Sequence, residues 1–337
     1  MKGNTTDFAQ LVTSFLTEYL PLQRCFSKNT ILSYRDALKL FVLFLTESKC
    51  INMTRFTMAF FDRNLIIEYM EWCRGRGVSS STANQRLAAM KTFADYAQVQ
   101  SIEYISPLQG VQSIKSKKSV ENEVSFLSVE QTAILINKPN INTSNGLRHR
   151  VILTLLYDSC CRVQELCDLT LGDVNNNNNP TVRLHGKGDK YRTVAISDKT
   201  ARLLNEYMIR MRSQALKEQP LIINRMRVKM NRDGVGNVIN KYVEEAHEED
   251  VHFPKYVHAH MFRHSKAMHM LAAGINILYI RDFLGHEDIS TTMIYSRADN
   301  RLKNEAINKL APKVTNEVDF PDWRDDHDLL AFLNSFK

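Results

Sequence analysis

At 337 residues, 44% of them apolar and 24% charged, the chain is long enough for two separate cores and too apolar to stay disordered. It has no apolar run of the roughly eighteen residues that a bilayer span requires, and its start, MKGNTTDFAQ, lacks the apolar core of a secretory leader, so a cytoplasmic protein without membrane contact is expected. The net charge of +7 is uneven: residues 315–337 hold six acids (Glu317, Asp319, Asp322, Asp325, Asp326, Asp328) against Arg324 and Lys337, a net of −4, which leaves +11 on the rest and turns that part towards a polyanion.

In chain order, apolar periodicity predicts four helices in the first hundred residues: TDFAQLVTSFLTEYL, NTILSYRDALKLFVLFLTES, DRNLIIEYMEWCRGRG and SSTANQRLAAMKTFADYAQ. In the second, Ile31, Tyr34, Leu38, Phe41 and Leu45 make one stripe. Gly75 and Gly77 stop the third helix, and the hydroxyls of Ser79 to Ser81 cap the fourth. These define an all-α domain over 1–108. A polar linker with Lys115, Lys117 and Lys118 follows over 109–123, its lysines either solvating a flexible segment or tracking a phosphate backbone. A second domain over 124–312 opens with Ser128 and Gln131 at capping-box spacing and a long apolar helix from Arg148 to Cys160. Next, Val182 and Leu184, then Val194 and Ile196, alternate around the glycine-rich turn Gly186 to Asp189, a β-hairpin signature, with the Asn175–Asn179 run as a polar loop before it. The remainder reads as helical to about Leu310. The fold class is therefore mainly α with a small antiparallel β-sheet, and residues 313–337 form an acidic tail.

The stretch HAHMFRHSKAMHM, His258 to Met270, gathers four histidines, and His260 and His264 stand one turn apart as zinc ligands can. No glutamate follows the first, and Arg263 places a fixed positive charge beside any cation, so no metal is expected. Instead His260 and Arg263 share a helix face and offer donors to an anionic oxygen. Arg162 in CCRVQELCDL, Lys187 on the hairpin turn, His286 in FLGHEDIS and Tyr295 in TTMIYSRAD could join them. Each alone has a plain structural reading: an intrahelical Arg162–Glu165 pair, an exposed turn lysine, a half-buried tyrosine. His258 and His269 read as structural or surface residues, and the six cysteines (Cys25, Cys50, Cys73, Cys160, Cys161, Cys167), none in a C-x-x-C pair, as reduced thiols.

Taken in order, Arg162 with Glu165 and Leu166, Gly186-Lys187-Gly188, His260-x-x-Arg263-His264, Leu284-Gly285-His286, and Tyr295 nine residues later resemble the tyrosine recombinase (phage integrase) family, of the two-domain Xer-like or transposon-encoded type. The resemblance spans residues 125–300, and the helical segment before it looks like that family's SAM-like core-binding domain. It implies a site-specific recombinase that breaks and rejoins double-stranded DNA at recombination sites through a 3′-phosphotyrosyl link, without cofactor or metal. Tyr295 would attack the phosphorus, Arg162 and Arg263 would hold the non-bridging oxygens with His286, and Lys187 would protonate the leaving 5′-oxygen. His260 would manage the tyrosine proton, with Glu165 and His264 in support.

Lys28, Lys39, Arg86 and Lys91 of the first domain, with the linker lysines, are the candidate DNA contacts. The tail, ending DWRDDHDLLAFLNSF, can form one short amphipathic helix, docked in cis or, as the resemblance implies, onto a neighbour in a DNA-bound tetramer. Accessory recombination proteins and a nucleoid location accompany that reading. The rival readings are a type IB topoisomerase-like relaxing enzyme and a catalytically silent architectural or regulatory DNA-binding protein.

Overall fold

Residues 6–117, 125–186, 189–298 and 335 are described by the computed structural model. The chain divides into two compact units, Met1–Asn122 and Glu123–Lys337. Both are mostly helical, and the second carries a small antiparallel sheet, the class that the periodicity predicts. Among the described residues no helix is long and apolar enough to cross a membrane.

In the first unit, α1 (Asp7–Ser14) runs on as a π-helical stretch over Phe15–Gln23, followed by α2 (Lys28–Glu47), α3 (Arg63–Gly75), α4 (Ser80–Gln100) and α5 (Ile105–Gln112). Side chains fix the helix starts: Ser27, Asp62 and Ser79 accept the main-chain N–H of Thr30, Leu65 and Thr82 at 3.3, 2.8 and 3.3 Å. The α2 stripe buries Leu38, Phe41 and Leu45 completely and Ile31 and Tyr34 in part. Phe8 meets Phe56 edge-on, with ring centroids 4.9 Å apart, in a core that also takes Phe15, Phe61 and Phe93.

Two features differ from expectation. The first predicted helix changes to π geometry around Pro21, whose ring nitrogen cannot donate to the ladder. A fifth helix, α5, beyond the four that the periodicity predicts, crosses the expected boundary between the helical domain and the linker. Pro107 is its third residue, within the first turn, where a missing N–H costs nothing. The first four residues of the expected linker, Gln109 to Gln112, are therefore helical. Beyond them Lys117 is fastened by its main chain to Asn84, through bonds of 2.8 and 3.1 Å.

The second unit contains α6 (Val129–Asn137), α7 (Ser144–Asp158), α8 (Val163–Asp168), β1 (Val174–Asn175), β2 (Thr181–His185), β3 (Tyr191–Ala195), α9 (Asp198–Arg212), α10 (Arg232–Glu249), α11 (Ala259–Ala272), α12 (Ile277–Leu284) and α13 (Ser290–Ala298). The capping box forms as the spacing predicts: Gln131 N donates to Ser128 Oγ at 3.1 Å and Ser128 N to Gln131 Oε1 at 2.9 Å. Leu147, Val151, Ile152, Leu155 and Leu156 of α7 are 0–1% exposed, so this helix is the axis on which α6, α9 and α11 pack. The hairpin pairs Val182 with Val194 and Leu184 with Arg192. A third strand, β1, ends on the first residue of the asparagine run, with Asn175 opposite Thr181. Residues 213–231 carry no helix; bridges Thr170–Pro220 and Ile223–Lys229 hold them instead.

Candidate active site

Four segments of the second unit converge: the corner between α7 and α8, strand β3, the first turns of α11, and the turn from α12 into α13. Arg162 sits where α8 begins. Its main-chain N–H donates to Glu165 Oε2 at 2.9 Å and its Nη1 to Glu165 Oε1 at 2.7 Å, so both groups of this residue are tied to one carboxylate. Cys160, just before it, has a positive φ of 50°, a conformation disfavoured for a residue with a Cβ. Its carbonyl accepts Arg263 Nη1 at 2.6 Å. The carbonyl of Leu284, at the end of α12, accepts Arg263 Nη2 at 2.6 Å. The Arg263 guanidinium, 2% exposed, is thus clamped by main chain from two directions before any substrate arrives.

A third arginine completes the group. Arg192 on β3 forks onto Glu165, Nη1 to Oε1 at 2.9 Å and Nη2 to Oε2 at 2.8 Å. Burial alone would push the Glu165 carboxyl up, but the Arg192 fork and the Arg162 amide overcome it and hold it at about 2, so it stays ionised. One carboxylate thereby pairs with two guanidinium groups, and with Arg263 held nearby by main-chain carbonyls the group keeps an excess of positive charge suited to an anionic substrate. Burial and then Arg162 lower Arg263 to about 10, which still leaves it charged at neutral pH.

Tyr295 lies on α13, 1% exposed, in a small cluster with Cys160, Ala267, Met268, Leu271, Ile280 and Leu284. The cluster includes both residues whose carbonyls hold Arg263, so the phenol is packed close to that guanidinium. Its hydroxyl lies 2.8 Å from His264 Nδ1. Burial pushes the phenol up to about 12, and burial followed by His260 and His258 lowers His264 to about 4. Both groups are therefore neutral near pH 7, one holding its proton and the other able to accept it. His286 Nδ1 lies 2.9 Å from Thr292 Oγ1, and its imidazole is held at about 4 by burial and then by Arg263, Arg162 and Arg192.

Of the residues the sequence singles out, Arg162, Glu165, His260, Arg263, His264, His286 and Tyr295 come together. Of the two histidines on this helix face, His264 rather than His260 meets the tyrosine hydroxyl. On a helix His264 falls beside Arg263 and one turn beyond His260, and α13 crosses α11 on the His264 side. His260 is more exposed, with its ring centroid 5.6 Å from that of His264, and burial and then Arg263 lower its pKa. Lys187, on the hairpin turn, and Lys118 lie outside the described residues, as does the tail apart from Ser335.

In the first unit Lys28 and Lys39 are exposed on one face of α2, three turns apart, and Lys115 is exposed as well. Arg86 and Lys91 are engaged internally, Arg86 Nη1 3.3 Å from Cys73 Sγ and Lys91 Nζ donating to Gln112 O at 2.9 Å. The described residues hold no group of three or more His, Cys, Asp or Glu placed to share a metal ion.

Arg192 is the residue that motif reading misses. Its signal is parity: a strand places 192, 194 and 196 on one face, and Val194 and Ile196 are apolar, so an arginine between them and the turn needs a buried partner.

Comparison with known proteins places the chain in a family. Residues 125–301 match the Phage integrase family, and residues 13–100 match the phage integrase N-terminal SAM-like domain. The chain is 28% identical over 300 residues to tyrosine recombinase XerD of Staphylococcus haemolyticus (strain JCSC1435), covering 88% of this chain and 97% of the relative. Its fold is shared with the XerH site-specific recombinase in a post-cleavage complex with palindromic difH DNA, at a TM-score of 0.68 and 21% identity over 91% of each chain. It is also shared with the Tn1549 transposon integrase in complex with transposon right-end DNA, at 0.66 and 16% identity over 89% and 99% of the two chains. The chain belongs to the phage integrase family, and is a tyrosine recombinase that cleaves and rejoins DNA.

Proposed function

We propose that Tyr295 is the nucleophile of site-specific strand exchange, and that the side chains around it act as follows. The phenol oxygen attacks the scissile phosphorus, forming a phosphotyrosyl ester as the bond to the 5′-oxygen breaks. A 5′-hydroxyl from the partner strand reverses these steps, and the phosphodiester energy is kept in the ester throughout. With its own proton on Nε2, His264 accepts the phenol's proton at Nδ1 as attack proceeds. Arg162 and Arg263 take the non-bridging oxygens and His286 donates a further bond, stabilising charge that grows in the pentavalent transition state. Lys187 protonates the leaving 5′-oxygen from the hairpin turn.

The observation that carries this reading is the Tyr295 hydroxyl set 2.8 Å from an imidazole on the helix that also supplies a main-chain-clamped arginine. Because the ring is nearly fully covered, attack requires α13 to shift or the phosphate to enter beside it. The first unit grips the duplex through exposed cations such as Lys28, Lys39 and Lys115, and the acidic tail docks on a neighbouring subunit to build a tetramer on two DNA sites.

The test uses the full chain with nicked duplexes carrying the sequences that flank its own gene, in EDTA. Wild type is expected to form a protease-sensitive covalent adduct and Tyr295→Phe none. An adduct surviving in Tyr295→Phe would overturn the assignment of the nucleophile.

A further inference from the structure

We propose that Arg192 is a positioning residue for strand cleavage, a forked brace that keeps the β2–β3 hairpin, the Arg162–Glu165 pair and the turn before His286 in one register. The proposal rests on the reading of the site given above. Three contacts carry it. The fork binds both Glu165 oxygens at 2.9 and 2.8 Å, and the same two oxygens hold the main-chain N–H and Nη1 of Arg162. Glu165 is therefore a shared joint: a shift in Arg192 moves the carboxylate that aims Arg162.

The second contact is on the Arg192 stem. A Cβ built on Gly285 would come 2.7 Å from Arg192 Cδ and 3.0 Å from its Nε, so the side chain lies directly on the turn whose next residue is His286. The third is the base of the hairpin. Gly186 N donates to Lys190 O at 2.7 Å, closing the turn two residues before Arg192, and Lys190 itself pairs with Glu287 next to His286. The hairpin that carries Lys187 is thus pinned to α8 and to the α12–α13 turn.

Both Nη groups of Arg192 are committed to Glu165, the carboxylate that also holds Arg162, whereas those of Arg263 are held by main-chain carbonyls. The Nε of Arg192 is buried and has no hydrogen-bond partner. An arginine kept only for stability gains little from an orphaned buried donor, whereas a brace that must reach two surfaces from one stem accepts it. Lysine could supply the charge but not two parallel bonds to one carboxylate.

The experiment measures adduct formation by the full chain on the nicked duplex, together with DNA affinity and the thermal melt of each variant. Misplacing catalytic groups by about an ångström costs roughly 100-fold in rate, so Arg192→Gln is expected to slow adduct formation at saturating DNA by at least about 30-fold while the Kd for DNA moves by less than about 3-fold. Arg192→Lys is expected to be as slow as Arg192→Gln to within about 3-fold, because the fork rather than the charge is lost. Glu165→Gln combined with Arg192→Gln is expected to be no more than about 3-fold slower than the slower single variant, since both cut one link.

A fast Arg192→Lys, additive losses in the double variant, or a loss confined to DNA affinity would each overturn the brace. Should Arg192→Gln fail to fold, the lysine variant alone decides. No adduct from wild type would overturn the parent reading, and the brace with it, whereas a normal wild type beside an unimpaired Arg192→Lys overturns the brace only.

Discussion

On the mechanism proposed above, the chemistry turns on His264 and Tyr295, whose ring nitrogen and hydroxyl lie 2.8 Å apart. A phenol held at about 12 cannot ionise by itself at neutral pH, so its proton must go to a neighbour as attack begins, and the neighbour at 2.8 Å is an imidazole kept neutral by burial. A positioned proton acceptor contributes about 10²- to 10⁴-fold to a rate, and His264→Ala should therefore slow covalent adduct formation by at least about 100-fold with DNA affinity unchanged. A loss as large in His260→Ala and absent in His264→Ala would return the proton to the other histidine. The same imidazoles make a stability prediction. His149, His264 and His286 are each held at about 4 in the folded chain, while the unfolded chain takes up those protons below about 6.5. The unfolded state binds more protons between these values, so stability is intact above about pH 6.5 and declines as the pH falls towards 4. The Tm of the full chain should drop by at least about 3 °C between pH 7 and pH 5, and a flat profile would show that these histidines are not held neutral.

Among the elements, the turn from α12 into α13 is the most constrained piece of the site. Gly285 ends α12 with a left-handed φ of 66°, and its N–H and that of His286 return to the carbonyls of Asp282 and Arg281 at 3.0 and 3.1 Å. Any side chain there meets both the backbone penalty and the Arg192 stem. Gly285→Ala should destabilise the protein by about 1 to 2 kcal/mol, from the left-handed conformation and the displaced neighbour. The denaturant midpoint measures the first effect, and the adduct rate measures the second through Arg192 and His286. Equal stability of Gly285→Ala and wild type would mean that the turn can adopt another path. The hairpin is the counterpart element. Its alternation places Val182, Leu184 and Val194 in the core.

For the whole molecule, charge and assembly are the quantities to test. If several cations of the basic body each neutralise one phosphate, the binding constant should fall with salt along a log–log slope of roughly −0.9 per contact. Substituting both Lys28 and Lys39 with glutamine should make that slope about 2 units shallower, and an unchanged slope would remove α2 from the DNA-facing surface. Deleting residues 315–337 should leave DNA binding within about 3-fold and abolish recombination between two sites, since a short amphipathic helix cannot fold unless it docks. Unimpaired recombination would reject docking on a neighbouring subunit.

What the amino-acid order determined by itself was local. Three- and four-residue steps of apolar side chains set α2, the Ser128–Gln131 pair set the start of α6, two-residue alternation set the hairpin, and five short motifs in order marked the catalytic unit, because each of these depends on neighbours within a turn or two of chain. The helix α5 escaped for the same reason: the stretch after residue 108 is locally polar and reads as linker, while the core that buries Leu108 and Val111 is built from distant segments. Tertiary structure decided the rest. It brought α13 onto α11 so that Tyr295, 31 residues away in sequence, met His264 rather than His260, and it set Arg192 across 27 residues onto Glu165. Such pairings are fixed by which faces of distant helices and strands must be buried together, a property of the assembled core that no window of sequence contains.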